Sequence, residues 1–276
     1  MALSLNASAQ TQAGQIKVAK PEGEVMKLNK DGTTTAIHNN DALTETDVIT
    51  TGAGASVVLV FMNGSTVRLG ANSRLAIDEF KMDPLAEDLK MSEYSSREKT
   101  EPSVSKTALN LSYGELVGDV KHLNKSSSYS VKTPVGAAGI RGTIFKIVYT
   151  PQADGKAFFT VSTAEGLVVM QGVTEKEIPI ASGKEVVVTV DIPTTPNANG
   201  QTPPPAAPVI ETKDLTPAAQ NAIIQTSTSI AATVQATTFT PTPTTTTGDS
   251  GKNNTSSNNP TGSQTNGVDL SAQGGG

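Results

Sequence analysis

The sequence predicts an all-β domain of two packed antiparallel sheets, arranged as a jelly-roll or sandwich or as a short β-solenoid. A mostly disordered tail with one short helix is expected to follow it. Three observations carry this reading. Short runs rich in Val, Ile, Thr and Phe recur from Gln15 to Ile192, many of them closed by Gly or Asn. Helical and strand patterns do not alternate regularly, which argues against a parallel α/β sheet. Composition also shifts near residue 193, from a segment holding nearly all the Val, Ile, Leu and Phe to one dominated by Thr, Pro, Asn, Ser, Gln and Gly. The first segment can bury a core; most of the second cannot offset its ordering entropy. The expected organisation is 1–13 as the end of an export signal or a flexible terminus, 14–192 as the β domain with a charged insertion at 81–107, and 193–276 as the tail with a helix at 217–236.

The elements follow in order. Ala7-Ser8-Ala9 before Gln10 fits an A-x-A cleavage site, with Met1 read as a late start inside a longer signal. Val25 to Leu28 and Thr33 to Ile37 flank Asp31-Gly32, a hairpin pattern. Ser56 to Phe61 is apolar on both faces, as expected of a strand between two layers. Asn63-Gly64 then suggests a type I′ turn into Thr66–Leu69. Residues 81–107 are rich in Lys, Glu, Asp and Ser; Asp83 and Pro84 could start a short helix with Leu85 and Leu89 on one face. Ala157 to Thr163 and Leu167 to Met170 read as a hairpin about Glu165-Gly166, and Val186 to Val190 as a last strand. In the tail, Pro203-Pro204-Pro205 favours an extended linker. Thr216 is an N-cap candidate with Pro217 at the first helical position, and Ile223, Ile230 and Val234 share a face.

Composition excludes several functions. A formal net charge of −5 with scattered Lys and Arg does not suit nucleic-acid binding. No segment reaches the roughly 18 apolar residues of a membrane helix, so insertion is not expected. Cysteine is absent, which removes thiol catalysis and Cys-ligated zinc. The two histidines, His38 and His122, stand among polar residues and read as surface groups. Asp41, Asp47, Asp78 and Glu79 sit at strand ends without a calcium-loop spacing. Gly248-Asp249-Ser250-Gly251 resembles a serine-protease nucleophile loop, but it falls in the low-complexity tail, where no oxyanion hole or oriented base can be held. The chain calls for no catalytic residue, metal or cofactor and is read as a non-enzyme.

The most informative stretch is 131–145, where a strand enters Thr133-Pro134 and another leaves through Arg141-Gly142-Thr143-Ile144-Phe145. Arg141 has two readings: a fork presented to a partner's carboxylate or carbonyl, or an internal clamp on turn carbonyls or on Glu115, Asp119 or Glu165. The surrounding small residues favour the clamp. Gly136, Gly139 and Gly142 do not form a dinucleotide loop and are read as permitting tight backbone packing.

Over about residues 15–192 the chain resembles the FecR domain family. The resemblance rests on Gly23-Glu24-Val25, Asp47–Gly52, Ser56–Leu59, Phe61–Ser65, Leu69, Asn72-Ser73 and Leu75. It continues through Leu116–Val120, Val131–Pro134, Ile140–Phe145 and Glu165–Val168. It implies an extracytoplasmic module of bacterial envelope signalling, with Thr133, Pro134, Arg141, Gly142 and Thr143 as signature residues of structural or interaction role. The expected function is non-enzymatic recognition of a protein or envelope glycan, in the periplasm or at the cell surface. The alternative is a structural envelope component that assembles with copies of itself.

Overall fold

A computed structural model describes residues 11–96, 98–192 and 207–241. The Pro-rich stretch at 193–206 and the Gly248–Gly251 motif lie outside the described residues, as do positions 1–10 of the 1–13 segment expected to be an export signal or flexible terminus; Gln12 and Ala13 of that segment instead pair as a strand with Met82 and Lys81. The strands in the first half are β1 (Gln12–Ala13), β2 (Ile16–Glu22), β3 (Val25–Leu28), β4 (Thr34–Ala36), β5 (Ala42–Leu43), β6 (Val48–Thr51), β7 (Ser56–Phe61), β8 (Thr66–Leu69), β9 (Ser73–Met82) and β10 (Leu89–Lys90). Next come β11 (Ser105–Val120), β12 (Ser128–Thr133), β13 (Gly136–Pro151), β14 (Lys156–Gln171), β15 (Ile178–Ala181) and β16 (Lys184–Asp191). The chain closes with β17 (Val209–Asp214), the helix α1 (Pro217–Val234) and β18 (Thr238–Phe239). The fold is all-β apart from α1 and a 3₁₀ turn at Met91–Tyr94.

Pairing joins 16 strands into one ladder, and that ladder forms two facing layers. Three strands of 16 residues, β11, β13 and β14, run through both. In the first layer the order is β5-β2-β7-β8, then 114–120 of β11, 143–151 of β13, 156–163 of β14, β16 and β17. In the second it is β4-β3-β6-β9, then 105–113 of β11, β12, 136–141 of β13, 167–171 of β14 and β15. All pairings are antiparallel except β11 with β12, which inserts between β11 and β13 in the second layer only. The layers meet through the core: Phe61 of β7 packs edge-to-face on Phe80 of β9 at 5.1 Å, although no ladder joins these strands. Every residue of β7 is buried, as the two-sided apolar run predicts.

Long strands can change layer only where the backbone bends sharply. Each of the three does so at a glycine of positive φ: Gly114 at +105°, Gly142 at +61° and Gly166 at +88°. The sites are crowded as well as bent. A Cβ on Gly166 would lie 2.4 Å from the Gly142 carbonyl oxygen, and one on Gly114 would lie 2.0 Å from Ser73 Oγ. Glu165-Gly166 is therefore not the hairpin turn expected from the sequence; β14 continues through it as one strand that bends from one layer into the other.

Other local expectations change for physical reasons. At Asn63-Gly64 only Gly64 takes a positive φ, so the turn is not type I′. Asn63 is committed elsewhere: its Oδ1 accepts from Ser65 N at 3.1 Å and its Nδ2 donates to Ser105 Oγ at 3.1 Å. No helix forms from Pro84, because Leu89 is drawn into β10, opposite Phe239 of β18. The charged stretch is anchored rather than free. Leu89, Met91 and Glu101 are buried. Glu101 accepts from Ser105 Oγ at 2.5 Å and from Asn124 N at 2.7 Å.

The boundary expected at 192 also moves, since residues 207–241 belong to the domain. β17 extends the first layer along β16. Helix α1 starts as the sequence predicts, with Thr216 Oγ1 accepting from Ala219 N at 3.2 Å and Pro217 at the first helical position. Its buried face is Ile223, Ser227, Ile230 and Val234. Ile223 covers Val117, Ile144 and Ala164, a second apolar cluster outside the first layer. β18 then pairs with β10, burying Phe239 beneath the Lys17 ammonium, 5.2 Å from the ring centroid. A weakly apolar helix docks because strands hold it at both ends: β17 before it joins the large sheet, and β18 after it forms a separate two-stranded sheet with β10.

The seam under α1 contains a buried ion pair. Asp119 and Lys121 are 5% and 3% exposed, with the Lys121 Nζ at 3.3 Å from both carboxylate oxygens. Ser227 Oγ of α1 donates to Asp119 Oδ2 at 2.9 Å. Removing one member of such a pair strands the other charge, whereas removing the serine deletes one hydrogen bond. Asp119→Ala is expected to lower unfolding stability by about 3–5 kcal/mol, and Ser227→Ala by about 1 kcal/mol; urea denaturation of the purified variants checks both.

Candidate interaction surface at the signature corner

The five signature residues divide into two groups about 136–141. Thr133 and Pro134 form the tight turn between β12 and β13, where Thr133 pairs with Gly136 in the ladder. Thr133 Oγ1 donates to Gly136 O at 2.9 Å and accepts from Val135 N at 3.4 Å, so the threonine closes its own turn. Gly142 and Thr143 form the corner of β13. The register slips between Arg141 and Ile144, a bulge that turns the strand into the other layer. Thr143 is 1% exposed, and its hydroxyl lies 2.9 Å from Leu167 O and 3.1 Å from Arg141 O.

The clamp expected of Arg141 does not form. Its side chain is exposed, and among the described residues its guanidinium has no hydrogen-bond or ion-pair partner. The Thr143 hydroxyl, with one proton to donate, is the side-chain donor at the corner carbonyls, with Leu167 O at 2.9 Å and Arg141 O at 3.1 Å. The carboxylates proposed for it are placed elsewhere: Asp119 with Lys121 and Ser227, and Glu115 with Lys146 at 3.6 Å. Of the two readings from the sequence, the internal clamp is not seen, and the guanidinium is left exposed.

Arg141 borders a trough on the outer face of the second layer, with a volume of about 360 Å³. Ser130 of β12 and Gly139 of β13 line it with small side chains, and Leu167 and Val169 of β14 add an apolar strip. Leu167 is 44% exposed, unusual for a leucine on a strand. Gln171 and Glu177 also border the trough, and Gln171 Nε2 donates to Glu177 Oε1 at 2.6 Å. Apolar surface, a free guanidinium and a carboxylate thus share one cleft. Its β14 side was missed in the sequence, because Leu167 to Met170 reads as apolar on both faces and nothing local tells which face meets water.

Two other clefts carry charged side chains. A groove of about 540 Å³ between α1 and the first layer contains Lys20, Glu22 and Arg68. Lys20, 3.3 Å from Glu22, holds that carboxyl below the usual range by hydrogen bonding and by its charge. A smaller cleft of about 310 Å³ at the corner is lined by Asp119, His122, Gly142 and Glu165. His122 and His38 are both exposed; His38 Nδ1 lies 3.7 Å from Asp41, a neighbour not anticipated from the sequence. Among the described residues no three His, Cys, Asp or Glu side chains group as a metal site, and no helix is long and apolar enough to cross a membrane.

Comparison with known proteins agrees with the signature. Residues 47–169 match the family model described as FecR protein. The match runs from β6 into β14 and contains all three corner glycines, within the broader span of 15–192 over which the resemblance was read. No curated protein matches the chain. Two crystal structures described as a candidate anti-sigma factor from Parabacteroides distasonis are similar at 17% identity, with TM-scores of 0.40 and 0.41. They cover 63% and 65% of this chain, which in turn spans 62% and 64% of theirs.

The corner and the fork separate by mutation. Gly166→Ala forces a methyl group against the Gly142 carbonyl in a left-handed conformation and is expected to cost about 3 kcal/mol or more. Arg141→Ala is expected to shift stability by less than about 0.5 kcal/mol. Thermal unfolding of the two variants beside the parent is the measurement.

Proposed function

We propose that the chain is a non-enzymatic, FecR-like interaction module of bacterial cell-envelope signalling, acting in the periplasm or at the cell surface. Its recognition surface is the trough at the signature corner, and its ligand is another protein. The observation that carries this reading is Arg141. A signature arginine with no internal partner, set beside an exposed Leu167 and Val169, presents a bidentate donor next to apolar surface. Arginine flanked by apolar side chains is the composition of protein-binding hot spots. The family match over 47–169 supports the signalling context. A glycan fits less well, since the trough lacks the exposed aromatic platform on which sugars stack.

A photo-crosslinking residue at Leu167, in the chain expressed in its native envelope, tests this. One discrete adduct is expected, reduced at least about tenfold when Arg141 is changed to Glu, because the guanidinium contact becomes a repulsion. An adduct pattern indifferent to Arg141 removes the trough as the recognition surface.

A further inference from the structure

β17 is the terminal strand of the first layer, and among the described residues nothing pairs with its outer edge. Such an edge offers a row of backbone donors and acceptors to any complementary strand. Its side chains alternate, and register places Val209 beside Thr189 and Phe158 on the outside of the layer. Glu211 and Lys213 share that parity. Lys213 pairs with Glu185 at 3.1 Å, while Glu211 is exposed without an ion-pair partner among the described residues. Leu215, whose N–H donates to Gly183 O at 2.8 Å, continues the same parity one step further.

The outer-face series is therefore Val209, Glu211, Lys213 and, just past β17 and partly buried against the Ile223 cluster, Leu215, and it is complementary to its own reverse. When β17 is laid antiparallel to a second β17 with Thr212 at the centre, Glu211 meets Lys213 of the copy and Lys213 meets its Glu211. Val209 meets Leu215 at both ends, and Thr212 meets Thr212. Opposite charges and Thr–Thr pairs directly across strands are each favourable, and like charges are unfavourable. The neighbouring registers that keep the outer faces together fail on this criterion: centring on Glu211 opposes two carboxylates, and centring on Lys213 opposes two ammonium groups. Charges on an edge ordinarily discourage pairing. Here their order permits one pairing and discourages its neighbours, which is how register is specified.

We propose that β17 is a homodimerisation edge, joining two copies of this chain through an isologous antiparallel pair centred on Thr212. The first layers of the two copies become one continuous sheet. The pairing extends the Glu185–Lys213 ion pair into a three-membered row with Glu211 of the copy. The exposed Phe158 (39%) and Val209 (59%) then lie in one cross-strand row running toward the joint. This proposal does not depend on the recognition surface above, which lies on the other layer.

Sedimentation of the full chain across a concentration series tests it. The parent is expected to dimerise, and Glu211→Lys, which opposes lysines in the copy, is expected to weaken association at least about tenfold. Lys213→Glu alone is expected to do the same. Mixing the two variants brings complementary charges together at both positions, so a heterodimer forms where neither variant self-associates. Circular dichroism melting confirms that each variant is folded, and if Lys213→Glu is not, the Glu211→Lys comparison decides alone. A parent that stays monomeric at high micromolar concentration overturns the proposal. So does a Glu211→Lys dimer as strong as the parent's, or a mixture of folded variants that remains monomeric.

Discussion

The fold depends on three strands being able to leave one layer and enter the other without breaking. β11, β13 and β14 each carry hydrogen bonds in both sheets, so the two layers are joined covalently and cannot slide independently. At each crossing the chain needs a backbone conformation that L-residues avoid, together with space that a Cβ would fill. Gly142 and Gly166 are coupled in this respect: the carbonyl of one occupies the volume where the other's side chain would be. They form one crossing, built from two adjacent strands, rather than two separate bends.

This constraint explains the signature motif without invoking chemistry. Gly142 turns the strand, and the Thr143 hydroxyl lies within reach of Leu167 O and Arg141 O where the register slips. Thr133 performs a similar service at the preceding turn. With the backbone groups already paired, Arg141 has no structural duty and projects outward. A buried guanidinium would have required several acceptors in a region where the small side chains supply none. The same economy places Asp119 and Lys121 together under α1, leaving neither available to the arginine.

Much of the strand pattern was legible in the sequence, because β7 is a short run apolar on both faces, β8 and the start of β9 alternate, and the turns between them fall at Asn or Gly. The N-terminus of α1 was legible for the same kind of reason, since Thr216-Pro217 is a local signal with a local cause. The resemblance to the FecR family, matched over 47–169, could also be read, because order and spacing survive when individual pieces are weak. Three features could not be read. A glycine after an acidic residue looks alike whether the chain reverses, as at Asp154-Gly155, or bends through a corner, as at Glu165-Gly166. The difference lies in a contact with Gly142, distant in sequence. The fate of Arg141 depended on whether Thr143 reached the carbonyls first. The charged insertion hid its anchor, because Glu101 is buried by Ser105 and the Asn124 backbone rather than by apolar neighbours.

The C-terminal segment shows why composition alone misjudged the domain boundary. Val209–Asp214 is half charged and reads as solvated, yet an edge strand needs to bury only one side of its backbone. Lys213–Glu185 and Lys184–Asp214 match charges across β16 and β17, so polarity here accompanies pairing instead of opposing it. Helix α1 follows the same logic. Its buried stripe includes Ser227, and that polar position donates to the buried Asp119 carboxylate on the sheet. Apolar contacts such as Ile223 with Val117, Ile144 and Ala164 are non-directional and can be remade in a neighbouring register. The Ser227–Asp119 hydrogen bond cannot, because a shift of one residue would leave a buried carboxylate short of a donor. The polar seam therefore selects the position of α1 more than it strengthens its attachment, and with α1 placed, β18 reaches β10 and ties the charged insertion to the body of the domain.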